Sequence, residues 1–483
     1  MVNAQTLVWF DYETFGTHPA WDRPAQFAGV RTDLDLNQIE EPVTYFCKLA
    51  DDYLPNPHAC RVTGLSPQHV NTRGDSEAEF IAKVLKTIGK DGTCSIGYNN
   101  IRFDDEFTRH IAFRNFFDAY EHEWKSGNSR WDLLDVVRLT RALRPDGINW
   151  PFNEDGTASN RLENLTAANG IEHRDAHDAM SDVWATLNVA RLIKSAQPRL
   201  YDYVFTHKDK GSAAQMLNTR DRKPCLFVSA LVPREQHHIA VILPVCRHPV
   251  NTNSVIAFDL TTDPEVLVGM DSDTIASRVY AKSNEIDPAD RIRLTNIATN
   301  KCPVLVPLNT LRAEDEERLG INRQLMLTRA SRLEQLLDEE MTTSIANAMH
   351  REWDDSPYEL EGTLYSGKFF SSDDKQRLAK LRQASTDKLA NFAGYFDDPR
   401  LDEMLWRYRA RNHPDSLSLA EQKKWQHDAR TRLLNDDAPW LSFRKYRELI
   451  GSIDWPPEEL ALGASLKQYA DELEQRLKPL PEQ

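Results

Sequence analysis

The stretch Leu7-Val8-Trp9-Phe10-Asp11-Tyr12-Glu13-Thr14-Phe15-Gly16 constrains the chain more than any other, because it reads as an apolar strand with two acids set into its C-terminal end. Side chains alternate along a strand, so Asp11 and Glu13 point to one face with their carboxylates a few ångströms apart. Two like charges that close call for a cation. A pair of solvated acids at a strand end is the plain alternative, and it holds unless further carboxylates and a base follow.

A chain of 483 residues suggests about three domains. Its 40% hydrophobic and 28% charged residues are an ordinary globular balance, ample for several buried cores. No apolar run reaches about eighteen residues, and no charged-then-apolar N-terminus ends in small residues. Neither a membrane span nor a secretory signal is therefore expected, and the expected location is the cytoplasm. Six cysteines (Cys47, Cys60, Cys94, Cys225, Cys246 and Cys302) are scattered without a CxxC pair, which reads as reduced, buried thiols. The formal charge of −15 argues against a uniformly basic coat for nucleic acid but leaves room for a basic groove. Arg407 to Arg432 holds seven Lys or Arg against three acids, with Trp406, Tyr408 and Trp425 among them. Flat rings beside cations suit stacked bases, although a solvated helical face explains such a run equally well.

In chain order, the first part alternates strands (Thr6–Asp11, Gln26–Thr32, Val43–Leu49, Cys94–Tyr98) with helical patterns (Glu77–Ile88, Asp104–Phe117, Leu133–Leu143, Arg161–Asn169, Ala179–Ile193), the mark of an α/β domain. From about residue 200 the apolar runs Cys225–Val232, His238–Val245 and Ser254–Leu260 are β-like, followed by helices at Thr274–Tyr280 and from Ala313 onward. A small barrel or sheet fits them. After about residue 350 long charged helices remain, as in Asp373–Leu389, Asp402–Arg411 and Leu466–Leu477. The expected domains are 1–197, 198–355 and 356–483, with linkers at Gln197-Pro198 and Asp355-Ser356-Pro357.

Two later motifs bear on the acid pair. Asn99-Asn100-Ile101-Arg102-Phe103-Asp104 puts Asp104 where a parallel strand hands over to a helix, the edge that faces the ligand crevice of an open α/β sheet. A plain helix N-cap is the alternative for a lone Asp there. In His177-Asp178-Ala179-Met180-Ser181-Asp182, positions five apart cannot share a helical face. His177 is therefore expected in the loop before the helix, with Asp178 as cap and Asp182 reaching the site from the second turn.

Together, Asp-x-Glu on a first strand, Asp after a middle strand and His-x-Ala-x-x-Asp on a late helix resemble the DEDDh exonucleases of the RNase H-like superfamily. Further segments are similar to bacterial exonuclease I: Phe10–Ala20 (FDYETFGTHPA), Asp22–Gln26 (DRPAQ), Gly97–Asn100 (GYNN), Arg102–Glu106 (RFDDE), Asn128–Asp135 (NSRWDLLD), Gly147–Pro151 (GINWP), Leu319–Arg323 (LGINR) and Tyr408–Asn412 (YRARN). The resemblance implies an α/β RNase H-like exonuclease domain, a small SH3-like β-containing domain and an all-α C-terminal domain. It also implies processive 3′-to-5′ hydrolysis of single-stranded DNA to 5′-mononucleotides, in DNA repair and recombination.

The residues support that chemistry independently. Four carboxylates around one phosphodiester suit two Mg²⁺ ions, with Mn²⁺ able to substitute, because hard cations choose oxygen ligands. Asp11 would be shared, Glu13, Asp104 and Asp182 would complete the shells, and His177 would take the proton from the attacking water. By the resemblance, Arg161, Arg109, Tyr120, Trp124 and Arg138 touch the strand, as does Glu13. Arg144, Tyr203 and Arg312 match a pocket for the acidic tail of single-stranded DNA-binding protein, although the cation expected late in the 323–335 helix falls near Glu334, with Arg332 close by. No membrane is expected, and a monomer is. The run Arg407 to Arg432 is expected to help close a channel over the strand, and chemistry on a very short oligonucleotide is expected to need little beyond the first domain. His237, His238, Cys246 and His248 fit no familiar zinc spacing, and strand alternation would scatter them. Motifs for acyl transfer, NTP hydrolysis and dinucleotide binding are missing. An RNA-directed exonuclease and a catalytically idle strand-binding adapter are the alternatives; the filling of all five catalytic positions speaks against the adapter.

Overall fold

Strand β1 (Thr6–Thr14) is the centre of the first sheet: β2 (Pro24–Thr32) pairs with it antiparallel, β3 (Val43–Phe46) pairs with β2, and β4 (Thr93–Gly97) lies parallel on its other side, giving the order β3-β2-β1-β4. The structure is a computed structural model and describes residues 5–173, 177–282, 284–350 and 359–478; the expected linker Asp355-Ser356-Pro357 lies outside these. By internal packing the chain falls into two units, one of residues 1–129, 174–184 and 355–483, the other of 130–173 and 185–354.

In the first unit, β1 runs past the expected end at Asp11 to Thr14, because its ladder with β2 continues through Asp11↔Ala28 and Glu13↔Gln26 before a bulge at Glu13/Thr14. Alternation then sorts its side chains. Val8, Phe10 and Tyr12 enter one core with Phe27, Phe80, Val84, Phe107 and Ile111. Asp11 and Glu13 have the opposite parity and face away from that core. The helix behind the sheet, Glu77–Ile88, starts where predicted because Ser76 and Glu79 form a reciprocal capping box. Gly97 ends β4, and a Cβ there would sit 2.7 Å from that of Asn100 and 3.0 Å from the Phe10 carbonyl oxygen. Only glycine lets the strand end approach β1 this closely, and so brings the following helix, Asp104–Arg114, to the end of β1.

The C-terminal segment of this unit is helical, with Ser372–Gln383, Arg400–Asn412, Leu419–Leu434, Phe443–Ser452 and Leu460–Arg476 as its main helices. The expected helix to Leu389 breaks after Gln383 and resumes as a 3₁₀ turn, Thr386–Phe392. Its apolar faces share cores with the N-terminal segment. Phe15, Leu49 and Tyr53 pack with Leu433, Tyr446, Leu466 and Leu473. Phe113 and Phe116 pack with Leu381, Leu401 and Leu405.

The second unit holds a five-stranded antiparallel sheet in the order Val304–Pro307, Cys225–Val228, Ile239–Arg247, Ser254–Asp259, Leu294–Ala298. A bulge at Pro244/Cys246 accommodates a proline that cannot donate to the ladder. The strands Leu294–Ala298 and Val304–Pro307 were not expected: each is a short edge strand, defined by its partner more than by its own pattern. Helices Ala313–Leu319, Arg323–Leu336 and Glu339–Met349 follow. None of the six cysteines is in a disulfide; Cys47, Cys60, Cys94 and Cys225 are buried, whereas Cys246 and Cys302 are half-buried. Among the described residues no helix is long and apolar enough to cross a membrane.

Candidate active site

Carboxylate oxygens of Asp11, Glu13 and Asp182 lie within 4.8 Å of one another, the one such cluster of potential metal ligands among the described residues. The first two arrive by alternation along β1 and the third from the first turn, not the expected second, of the helix Ala179–Ala196, because that helix begins only at Ala179. Asp104 joins from the helix after β4. It is not that helix's N-cap, a position held by Phe103; instead its Oδ1 accepts the backbone N–H of Tyr12 at 3.1 Å, between the two β1 acids.

Electrostatics follow from this convergence. Withdrawal from water, then the charges of Asp104, Glu13 and Asp182, push the Asp11 carboxyl well above the ordinary range. Withdrawal from water, then Asp182 and Asp104, pushes Glu13 up to about 9. An all-oxygen set whose own repulsion opposes ionisation fits a hard divalent cation, which would hold the acids deprotonated.

His177 lies in the loop before the helix, at φ 70°, with its N–H 3.3 Å from Asp182 Oδ2; its side chain is exposed. Asp178 caps the helix through the Ser181 N–H, at 3.2 Å. Gln26, which the sequence reading passed over except as part of a motif, fixes this loop: its Nε2 donates to Asp178 Oδ1 at 3.0 Å, and its Oε1 accepts the Ala179 N–H at 3.4 Å. Its signal was the strand register, since Gln26 is the β2 partner of Glu13.

Of the strand-contact candidates, Glu13, already placed in the carboxylate cluster, Arg109, Tyr120 and Trp124 lie in the first unit. Arg109 is buried and bonded to Glu123 (2.6 and 3.0 Å), Glu106 (3.0 Å) and the Tyr365 hydroxyl (3.1 Å), with its guanidinium 5.3 Å from the Tyr120 ring centre. Tyr120 and Trp124 do not form a buried stripe, because the helix there is a single turn, Glu121–Trp124, and Trp124 is 65% exposed. Both rings line a concavity of about 650 Å³ with Phe369, Phe370, Lys368 and Lys375. Arg138 and Arg161 belong to the second unit. Arg138 pairs with Asp135 at 2.5 Å, and Arg161 is exposed, 3.9 Å from Glu163.

In the pocket attributed to a protein partner, Arg144 and Arg312 converge on the buried Asp315, at 2.9 and 3.0 Å. Tyr203 stacks on His207 at 4.1 Å. Arg332 is engaged with Glu265.

The basic run Arg407 to Arg432 is not the open groove expected from its charge. Arg411 is buried against Asp52 (2.6 Å) and Glu361 (2.5 Å), and Arg409 against Glu421 (2.8 Å). Arg432 reaches Glu359. Tyr408 is in the core and Trp425 packs partly into another. Local charge counting included Glu421 but missed Asp52, Glu359 and Glu361, which lie outside the run and neutralise Arg411 and Arg432.

Family models match most of the chain: Exonuclease over residues 8–190, Exonuclease I SH3-like domain over 208–351 and Exonuclease I C-terminal domain over 358–473. Exodeoxyribonuclease I of Escherichia coli K12 is 42% identical over 97% of this chain and 98% of its own. That of Haemophilus influenzae is 44% identical over 90% of this chain and 92% of its own. The solved structure of E. coli Exonuclease I with a dA16 oligonucleotide superposes with a TM-score of 0.91 at 42% identity, covering 97% of this chain and all of that one. With an exonuclease domain first, an SH3-like domain second and a helical C-terminal domain last, the chain belongs to the exonuclease I family.

Proposed function

We propose that this protein hydrolyses single-stranded DNA from its 3′ end to 5′-mononucleotides, processively, at the site built by Asp11, Glu13, Asp104 and Asp182. The observation that carries the reading is the convergence of the Asp11, Glu13 and Asp182 carboxylates within 4.8 Å at the end of β1, with Asp104 bonded to the Tyr12 N–H between the two β1 acids. Family membership implies a divalent metal, and a zinc-bound E. coli ExoI–ssDNA complex has been solved; for this chain we propose two Mg²⁺ ions, replaceable by Mn²⁺. Bound there, such ions supply charge neutralisation to the attacking and leaving oxygens of the phosphodiester. Asp11, Glu13, Asp104 and Asp182 would hold the ions, Asp11 as the shared ligand. His177 accepts the proton of the attacking water at a ring nitrogen, which its exposed position leaves open to substrate. Tyr120 and Trp124 stack bases, while Arg109 orients them and Arg138 and Arg161 hold phosphates.

An ExoI/SSB-Ct complex is known for a relative 41% identical over 97% of this chain. Arg144, Tyr203 and Arg312 form the corresponding site here for the acidic tail of single-stranded DNA-binding protein. We further propose modules at 1–197, 198–355 and 356–483, in keeping with the family matches, a cytoplasmic location, in keeping with six free cysteines, and a role in DNA repair.

The test is labelled single-stranded DNA and matched RNA incubated with the protein and Mg²⁺, with and without chelator. DNA should shorten from its 3′ end to mononucleotides, chelator should stop it, and Asp11→Ala should bind strand without cutting. Full activity in Asp11→Ala or in excess chelator removes the reading, and preference for RNA replaces the substrate.

A further inference from the structure

Arg409, Arg411 and Arg432 of the C-terminal helices are engaged in ion pairs, whereas a cluster of cations in the second unit is not. In the second unit a concavity of about 760 Å³ is lined by Lys210, Arg220 and Arg247 together with Asn218, Thr252 and Asn253. All three cations are exposed, and no ion pair engages any of them among the described residues. No carboxylate lines the concavity. Asp209, beside Lys210, caps its helix through Gly211 and Ser212, and Asp221, beside Arg220, is not part of the lining. In a chain of formal charge −15, three unpaired cations around one acid-free hollow make a local positive field.

The lining also selects among anions. It contains no aromatic residue; its large apolar members Leu217 and Val255 are buried at 1% and 7% exposure, and the remaining one, the exposed Ala214, offers only a methyl group. An acidic peptide with an apolar anchor finds no open pocket here, and bases find no ring to stack on. Guanidinium forks, an ammonium and amide and hydroxyl donors match phosphate oxygens. We propose that this concavity is a second, sequence-blind contact for the phosphate backbone of single-stranded DNA, separate from the carboxylate site. The inference rests on the proposed substrate.

The experiment uses the full chain without divalent metal, so that binding is read apart from cleavage. Affinity for oligo(dT) of increasing length is measured across a salt series for the wild type, for Lys210→Ala/Arg220→Ala/Arg247→Ala and for the same positions changed to Glu. Each phosphate contact on a single strand contributes about 0.7 to the slope of log affinity against log salt, so the alanine set should lower the slope by about 2 on long strands. The Glu set should weaken long-strand binding further, by about tenfold or more at low salt. Asp11→Ala should keep the wild-type slope. Equal slopes and affinities in wild type and both sets overturn the proposal. So does a result in which the sets lose binding of an oligo-Asp peptide while DNA binding stays unchanged. Failure of the proposed activity would appear elsewhere, as a wild type that does not cut DNA in Mg²⁺.

Discussion

In the metal-free site the setting of Glu13 pushes its pKa up to about 9, first by burial and then by Asp182 and Asp104, which favours its protonated form. A divalent cation binds the ionised form, so binding must expel protons, and affinity should rise as pH rises from about 6 towards 9. Calorimetry with Mg²⁺ in buffers of different ionisation heat should show proton release, and Glu13→Gln should abolish part of it; equal heats in all buffers would show the acids already ionised. His177 makes a different demand. A general base contributes on the order of 10²- to 10⁴-fold, so His177→Ala should lose activity in that range while keeping metal binding and melting temperature. Wild-type rates in that variant would make the histidine structural. Gln26 was nearly invisible in the sequence because its role depends on lying across from Glu13 and reaching a helix that starts more than 150 positions later.

The helix Arg400–Asn412 shows how an element's charge can mislead. Its arginines contribute inward: Arg411 satisfies Asp52 and Glu361, both buried, and Arg409 reaches Glu421. In the helix Asp104–Arg114, Arg114 likewise clasps the buried Glu77 at 2.7 Å. Removing one partner of a buried pair leaves an uncompensated charge, so Arg411→Ala should cost about 3–5 kcal/mol in denaturant unfolding. A triple reversal of Arg409, Arg411 and Lys424 should therefore act on stability before it acts on processivity. Glu77 also carries a pH signature. Burial alone would raise its pKa, but Arg114 and Arg23 hold it at about 2, against 4.5 when unfolded. A depressed folded value stabilises above the unfolded value and loses that contribution as pH falls, so melting temperature should drop between about pH 4.5 and 2. Glu77→Gln should flatten that limb; an unchanged limb would place acid sensitivity elsewhere. Elements with local signals were legible: Glu77–Ile88 and Leu133–Leu143 match their expected bounds, because a capping box or an Asp132 cap marks the start.

At the scale of the molecule, the first and last segments form one packing unit. Phe15 and Tyr53 share a core with Tyr446 and Tyr469, and Phe116 lies 5.0 Å from Tyr408. Deleting residues 358–483 would expose those aromatic faces, so the truncated chain should lose its cooperative melt or aggregate, even towards a trinucleotide substrate. A soluble, active truncation would show instead that the exonuclease segment folds alone, as its sequence suggested. The sequence by itself determined that Asp11 and Glu13 share a face, that Asp104 follows a strand end and that His177 precedes a helix, because alternation, turn residues and caps act over a few neighbours. The family's motifs carried the order of the domains. Only the tertiary structure decided which charges are free. Whether an arginine meets DNA or a carboxylate depends on acids brought to it across hundreds of residues, and solvation is set by packing, so Arg411 is buried in a clasp while Arg220 and Arg247 remain open to an anion.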